Sequence, residues 1–578
     1  MKKKLSNNNG VKVSLTGGPV LNADMNKASQ DDLAKAEKIG LPIALIVLLF
    51  AFGGVIAAVI PLIIGLISVV SAMGFLYLLG DQMNLSVFLL NVIPMIGLAL
   101  GIDFALLLIN RFREELKEKT VEESVIIAVS TAGKSIAFSG LCVFLGLSAM
   151  LLIQVDIFKT VAIGGMGVVI LSVLASLTFL PALLSLLGKH INKLTILKPS
   201  NKQSVWKTFA IFVMKRPVMM TIATVILLAI GAYQVKDITL TIPAEDSLPK
   251  SYESRTSFEI FESHFLKDKK DPVIFVLDTS SPILEAKTLE KVEELSQSLK
   301  KEKMVKDVTS IFSLTKTKDT NELTAMLQNP SYQQALQPVL KQLTTKNKMI
   351  LYVYLHQDAS SKKAQEFAKK WNKPYKGIHI TVGGEAKFNQ EIFDEIDQKV
   401  PYGLLFVFVS TYFILFIAFR SVLIPLKAIA MNVLSLSCTF GILVWLFQGG
   451  HFGIEATTIA LIIPILVFGI VFGLSMDYEV FLISRIQEIY HDTNDNDYAT
   501  LEGLTSTSKI ITSAALIMIV VTGAFAFTGI IPVKQIGLGI SLSILIDATI
   551  VRMILVPSLM KLLGKWNWWT PFKKRTQK

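Results

Sequence analysis

Asp103, in ALGIDFALLLINRFREE, and Asp477, in GLSMDYEVFLISRIQE, each sit well inside an apolar run long enough to cross a bilayer. A charge at the centre of such a helix costs about 2.5–3.5 kcal/mol on insertion scales, so an ionisable residue there marks a function or a buried partner. The two motifs match each other, and a twofold relation between their helices would set the two carboxyl groups face to face, where protons can bind and leave. Tyr478, next to Asp477, carries a hydroxyl able to hydrogen-bond the opposite carboxyl group, while its counterpart Phe104 has none. The chemistry this constellation suggests is a proton relay through Asp103, Asp477 and Tyr478. The competing reading is that both aspartates only fix helix packing. Asp547 and Arg552 are also buried in a span, five residues apart. The matching positions in the first half are uncharged, so a structural role, such as a buried ion pair within or between helices, is expected ahead of a secondary relay, although α-helical pitch does not put the two squarely on one face.

The elements that hold these residues are membrane helices. The chain has 578 residues, 52% of them hydrophobic, and a mean hydropathy of +0.54, far above soluble norms. Eleven spans are expected, at 40–60, 61–80, 87–110, 135–154, 161–187, 217–234, 401–419, 422–447, 456–484, 509–530 and 536–563. The formal charge of +12 is not spread as a nucleic-acid surface would be. Lys189, Lys193, Lys198, Lys202, Lys207, Lys215 and Arg216 follow one another with no acidic residue between them, and Lys561, Lys565, Lys573, Lys574, Arg575 and Lys578 are grouped at the end. The positive-inside rule makes both segments cytoplasmic, which places residues 1–39 outside. Lys134, Lys509, Arg111 and Arg485 are expected to anchor span ends, the segments 111–124 and 485–507 to form surface helices or loops, and Trp566, Trp568 and Trp569 to form an aromatic belt. Cys142 and Cys438 both lie in spans, so a disulfide framework is excluded.

The chain repeats itself. The segments beginning at Thr16 and Val382, the two aspartate motifs, and LTFLPALLSLLGK around Pro181 with RMILVPSLMKLLGK around Pro557 correspond in order. Parallel repeats of this kind build transporters with the working site between the halves. The resulting map is a remnant of a first outer domain (1–39), five first-repeat helices (40–187), a cytoplasmic linker (188–216), the opening helix of the second repeat (217–234), an outer domain (235–400), five second-repeat helices (401–563) and a basic tail (564–578). By comparison with the second half, one helix and most of one outer domain are expected ahead of residue 1. The 235–400 insert alternates strands at 272–278, 305–312, 348–355 and 377–383 with helices at 283–302, 322–342 and 361–372, an α+β ferredoxin-like pattern. Phe258, Phe261 and Phe265 at helical spacing are expected to be core. Neither a phosphate loop, nor metal-ligand spacing, nor a nucleophile elbow is present in the sequence, which argues against ATP use, a metal site and enzymatic catalysis.

The paired motifs, with LIDATIVRMILVPSLMKLLG, IAFRSVLIPLKA near Arg420 and TIPAEDSLPKSYES, resemble the MMPL transporters of the resistance-nodulation-division superfamily over essentially the whole chain. The resemblance implies a helical polytopic membrane protein with porter domains, driven by the proton gradient without another cofactor, that exports lipids, fatty acids or other hydrophobic compounds across the cell membrane. It places Asp103, Asp477 and Tyr478 at the family's relay positions, with Phe104 standing where the family carries tyrosine. Expected partners are membrane lipid or a hydrophobic small molecule, not nucleic acid, and homo-oligomers occur in the superfamily. Two alternatives stay open: a proton-driven accessory of protein secretion, and a non-transporting lipid sensor or scaffold.

Overall fold

A computed structural model describes residues 13–195 and 204–570 apart from 84, 244 and 267–270, and does not describe the side chains of 204, 205, 333 and 477. The chain divides into two compact units, one holding 17–252 and 399–578, the other 1–16 and 253–398.

The larger unit is a helix bundle. Its first repeat comprises α1 (Gly18–Phe52), α2 (Val55–Gly80), α3 (Leu89–Glu115), α4 (Val121–Ser148) and α5 (Asp156–Leu174), which continues through a π-helical segment, Ala175–Phe179, into α6 (Leu180–Leu187). The expected break at 60/61 is displaced. Gly53 adopts φ +73° and ends α1, its N–H bonding the carbonyl of Leu49, while Pro61 lies inside α2. Left-handed backbone is open to glycine at little cost, whereas membrane helices tolerate proline. The linker expected at 188–216 contains a helix, α7 (Ser204–Lys215), whose Ala210, Val213 and Met214 are buried. Next comes α8 (Pro217–Ala232), ahead of a short strand β1 (Leu240–Thr241).

The smaller unit opens with α9 (Glu253–Phe261) and then runs β2 (Val273–Asp278), α10 (Ala286–Lys300), β3 (Val305–Thr309), α11 (Ile311–Thr315), α12 (Thr320–Gln328), α13 (Pro330–Leu343), β4 (Lys348–Leu355), α14 (Lys362–Trp371) and β5 (His379–Gly383). The sheet order is β3-β4-β2-β5 with every neighbour antiparallel, the ferredoxin-like arrangement expected. Strand β2 alternates inward Val273, Phe275 and Leu277, and Phe275 meets Phe367 and Trp371 of α14 at ring-centroid distances of 6.3 Å. The single helix expected at 322–342 is two, parted at Asn329, whose side chain caps α13 through the Ser331 N–H at 3.1 Å. Phe261 and Phe265 are not core: they stack on each other at 5.7 Å and are 40% and 75% exposed.

The second repeat follows as α15 (Glu385–Phe419), α16 (Leu423–Phe447), strand β6 (Ile459–Ala460), α17 (Ile462–Thr493), α18 (Asn496–Gly523) and α19 (Ile531–Ile546), which passes through a π segment, Asp547–Leu555, into α20 (Val556–Leu563). The segments 111–124 and 485–507, expected as surface helices or loops, are extensions of the spans themselves, broken by turns at 116–120, where Thr120 caps α4, and at 494–495, where Asp495 caps α18. Ten helices among the described residues are long and apolar enough to cross a membrane. The remaining expected span is α1, whose apolar part from Ile39 to Phe52 rises about 21 Å against a hydrocarbon core of about 30 Å. Large apolar side chains such as Val70, Leu78, Ile230 and Ile417 point outward, where lipid rather than water suits them.

The repeats reappear in the packing. Helix α4 crosses α17, and α3 crosses α18, the same pair with the halves exchanged. A Cβ on Gly40 of α1 would lie 3.2 Å from Ala524, and one on Gly403 of α15 would lie 3.5 Å from the carbonyl of Ala149, the repeat counterpart of Ala524, although the two glycines stand about one turn apart in the match.

Candidate functional site

Asp103 lies midway along α3, a helix whose span is enclosed by its neighbours, and is 2% exposed. From α17 the Tyr478 hydroxyl donates to Asp103 Oδ1 at 2.8 Å. The expected hydrogen bond between repeats is therefore present in the direction in which only this half carries a tyrosine. Phe104, fully buried, cannot return it. Asp103 Oδ2 has no hydrogen-bond partner among the described residues. The backbone of Asp477 belongs to α17, but its side chain lies outside the described residues.

Asp547 and Arg552 form the ion pair expected of them, although α-helical spacing does not put them squarely on one face. They lie in the π segment, where hydrogen bonds run from i to i+5, so residues five apart stack as residues four apart do in an α-helix. Arg552 is 1% exposed and does more than pair with Asp547. It donates to the Ser475 carbonyl at 2.5 Å, and its guanidinium lies over the Tyr478 ring, 4.6 Å from the centroid, a cation–π contact strengthened by desolvation. Ser475 in turn donates to Asn432 Oδ1 of α16 at 2.6 Å. The pair read as separate is joined through Tyr478 to Asp103, making one cluster across the repeats.

Two further buried charges escaped the sequence reading. Glu479 on α17 and Lys427 on α16 are 4% and 8% exposed. The charges nearest in effect to the Glu479 carboxyl are Lys427, Arg552 and Asp547, which joins it to the same cluster. Lys427 also contacts Met560 Sδ at 2.6 Å, and Glu479 Oε1 has no hydrogen-bond partner among the described residues. Repeat matching hid Glu479, because its counterpart Ala105 is uncharged; Lys427 sits near the start of its expected span, where a cation is ordinary. What the cluster can do chemically is hold and pass protons inside an apolar bundle: a carboxyl group, a phenol, a guanidinium and further carboxyl groups follow one another. Among the described residues no group of three or more His, Cys, Asp or Glu could hold a metal ion.

Near the α4–α17 crossing lies a second feature, a cavity of about 270 Å³ lined by Met150, Leu404, Phe408, Phe440, Ile465 and Phe468 among others, with Lys399 its only charged lining residue.

Fold and cluster together define a polytopic membrane protein of two parallel repeats with buried ionisable groups bridging them. The MMPL family model matches residues 2–220 and 246–578, and the chain belongs to that family, whose members are transporters rather than enzymes. It is 32% identical over 566 residues to a putative membrane protein of Streptomyces coelicolor, covering 97% of this chain and 74% of that one. It is 31% identical to the trehalose monomycolate exporter MmpL3 of Mycobacterium tuberculosis, covering 93% of this chain and 59% of the exporter. For MmpL11 of Mycolicibacterium smegmatis, an exporter of mycolic acid-containing lipids, identity is 31% and the shares are 98% and 58%. The chain thus spans under two thirds of the length of these exporters. In fold it is similar to the hedgehog release protein Disp of the water bear Hypsibius dujardini (TM-score 0.68, 12% identity, 93% of this chain and 71% of that one). SecDF of Thermus thermophilus is also similar (TM-score 0.56, 16% identity, 95% and 63%).

Proposed function

We propose that this protein exports lipids, fatty acids or other amphiphiles across the cell membrane, driven by proton movement through the Asp103–Tyr478–Arg552–Asp547 cluster, with Asp477 on the same path. The observation that carries the reading is the hydrogen bond from Tyr478 to Asp103, a contact between the two repeats at a buried carboxyl group. Protonation of Asp103 changes what that carboxyl group can accept, and so changes the preferred packing of α3 against α17. A proton crossing 100 mV releases about 2.3 kcal/mol, sufficient to bias two packings of similar energy, and no further cofactor is required. The apolar lining of the 270 Å³ cavity suits an alkyl chain better than a peptide, and the names of MmpL3 and MmpL11 point the same way. In this reading the basic segments 189–216 and 561–578 face the cytoplasm and the 253–398 unit faces outward. Of these, Lys198, Lys202, Lys573, Lys574, Arg575 and Lys578 lie outside the described residues.

The test uses the full chain in proteoliposomes with an imposed pH gradient, following a fluorescent fatty acid and lumenal pH together. Gradient-dependent movement of the fatty acid that Asp103→Asn and Tyr478→Phe each reduce at least tenfold supports the proposal. Movement unchanged in both variants removes the relay, and no gradient-dependent movement by the parent protein favours a lipid sensor or scaffold.

A further inference from the structure

On leaving α8 the chain does not pass freely toward residue 253. The Asp237 carbonyl accepts from Gln448 Nε2 at 3.0 Å, and the Thr239 N–H donates to Gln448 Oε1 at 2.8 Å. Strand β1 then pairs in parallel with β6, Leu240 beside Ile459 and Thr241 beside Ala460. The Ile459 N–H donates to the Thr239 carbonyl at 3.1 Å and the Leu461 N–H to the Thr241 carbonyl at 2.8 Å, and the hydroxyls of Thr241 and Thr458 lie 2.5 Å apart. From α19 the Gln535 side chain, fully buried, closes the arrangement: Oε1 accepts the Ala460 N–H at 2.9 Å and Nε2 donates to the Thr458 carbonyl at 2.8 Å.

What gives this pairing meaning is where the two helices lead. Helix α17 begins one residue after Leu461 and runs unbroken past Ser475 and Tyr478, about 24 Å along the axis. Helix α19 runs from Gln535 to Asp547, about 18 Å, and continues through the π segment to Arg552. Two of the second-repeat helices that bring side chains to the buried cluster, α17 and α19, therefore meet at the same two-residue strand pair, through which the chain proceeds toward the 253–398 unit. A helix with intact backbone hydrogen bonds transmits displacement along its axis, and a fully satisfied buried amide fixes its neighbours in one geometry.

We infer that the β1–β6 pair, clamped by Gln535, is the link that passes rearrangement of the Asp103–Tyr478–Arg552 cluster to the segment entering the 253–398 unit, and that Gln535 is its positioning residue. This rests on the proton-driven reading above and adds to it the route of coupling. Gln535 acts through Thr458 and Ala460, which hold β1.

The experiment reads the strand pair rather than transport. In the full chain with Cys142→Ala and Cys438→Ala, the pair Thr241→Cys and Thr458→Cys is oxidised with copper phenanthroline in nanodiscs, and the rate of disulfide formation is followed by gel shift. Asp103→Asn, which mimics the protonated carboxyl, is expected to change that rate at least threefold at fixed pH. Gln535→Met, which keeps the side-chain shape but loses both hydrogen bonds, is expected to erase the difference, and Gln535→Glu to retain it at low pH. Equal rates with and without Asp103→Asn overturn the link, and this comparison requires no change at Gln535. A difference that survives Gln535→Met in protein of unchanged gel-filtration profile overturns the role of Gln535. Since no substrate is followed, failure of fatty-acid export would count against the proposed function and leave these rates to be judged separately.

Discussion

The last helices of the two repeats have nearly the same backbone and quite different chemistry. In each, an α-helix passes through a π segment, resumes with a proline in its first turn and stops at a glycine: Ala175–Phe179, Pro181 and Gly188 (φ +48°, ψ −128°) in the first, Asp547–Leu555, Pro557 and Gly564 (φ +50°, ψ −124°) in the second. At the positions matching Asp547 and Arg552 the first repeat has Leu171 and Ser176. The same imbalance holds where Phe104 matches Tyr478 and Ala105 matches Glu479. Thus the first repeat supplies one described carboxyl group, Asp103, and the second supplies the phenol, the guanidinium and the remaining described charges around it. The π turn therefore belongs to the scaffold, and the charge was placed on only one copy of it.

That comparison is tested most severely at Arg552. Its replacement by methionine leaves Asp547 buried without its cation, and removing one partner of a buried pair costs about 3–5 kcal/mol. Adding Asp547→Leu, the residue of the first repeat, is expected to recover most of that loss, since an apolar pair can replace an ionic one in a well-packed site. Thermal and denaturant unfolding in detergent measure both variants. If the single and double variants agree within about 1 kcal/mol, the two charges are not coupled and the scaffold reading fails. A smaller effect separates the two helix crossings. A Cβ added at Gly473 would come 2.4 Å from Val143 Cα, whereas the matching position in the first repeat is already Ala99. Gly473→Ala is expected to cost about 1–3 kcal/mol by forcing α4 and α17 apart, and Ala99→Gly about 1 kcal/mol at most, from helix propensity. Comparable losses at both positions would mean that the α4–α17 crossing is no tighter than its counterpart.

How much of this was legible in the sequence depends on which periodicity governed each element. Strand β4 coincides with the expected 348–355 because apolar alternation is unambiguous there. Helices α4 and α18 begin well before their expected spans because hydropathy marks the apolar stretch, while the helix continues through charged turns such as VEES and NDYATLEG. The Asp103–Tyr478 contact followed from matching the repeats. The ion pair of Asp547 with Arg552 was also expected, but not its geometry, since a period of 3.6 residues places the two on different faces and nothing short of the backbone reveals the π turn or the reach of Arg552 to Tyr478. Glu479 and Lys427 carry no repeat signal at all, and only packing identifies them as buried.

The caps of the helices that follow the two aspartate helices give the mildest contrast, and one that salt can resolve. Thr120 opens α4 with a capping box: its hydroxyl accepts the Glu123 N–H at 3.3 Å while Glu123 Oε2 accepts the Thr120 N–H at 3.1 Å. Asp495 opens α18 alone, one carboxylate oxygen accepting the N–H groups of Asp497 and Tyr498 at 2.9 and 3.0 Å. Loss of a cap costs about 0.5–2 kcal/mol. A carboxylate at a helix N-terminus adds about 0.3–1 kcal/mol from the helix dipole at low ionic strength. Asp495→Ala is therefore expected to destabilise more than Thr120→Ala in low salt. Raising the salt should narrow the gap, because it screens the charge–dipole part and leaves the neutral hydroxyl bond unchanged. A Thr120→Ala loss that equals or exceeds the Asp495→Ala loss at low salt would show that the reciprocal box, with Glu123 returning the bond, outweighs a charged cap in this protein.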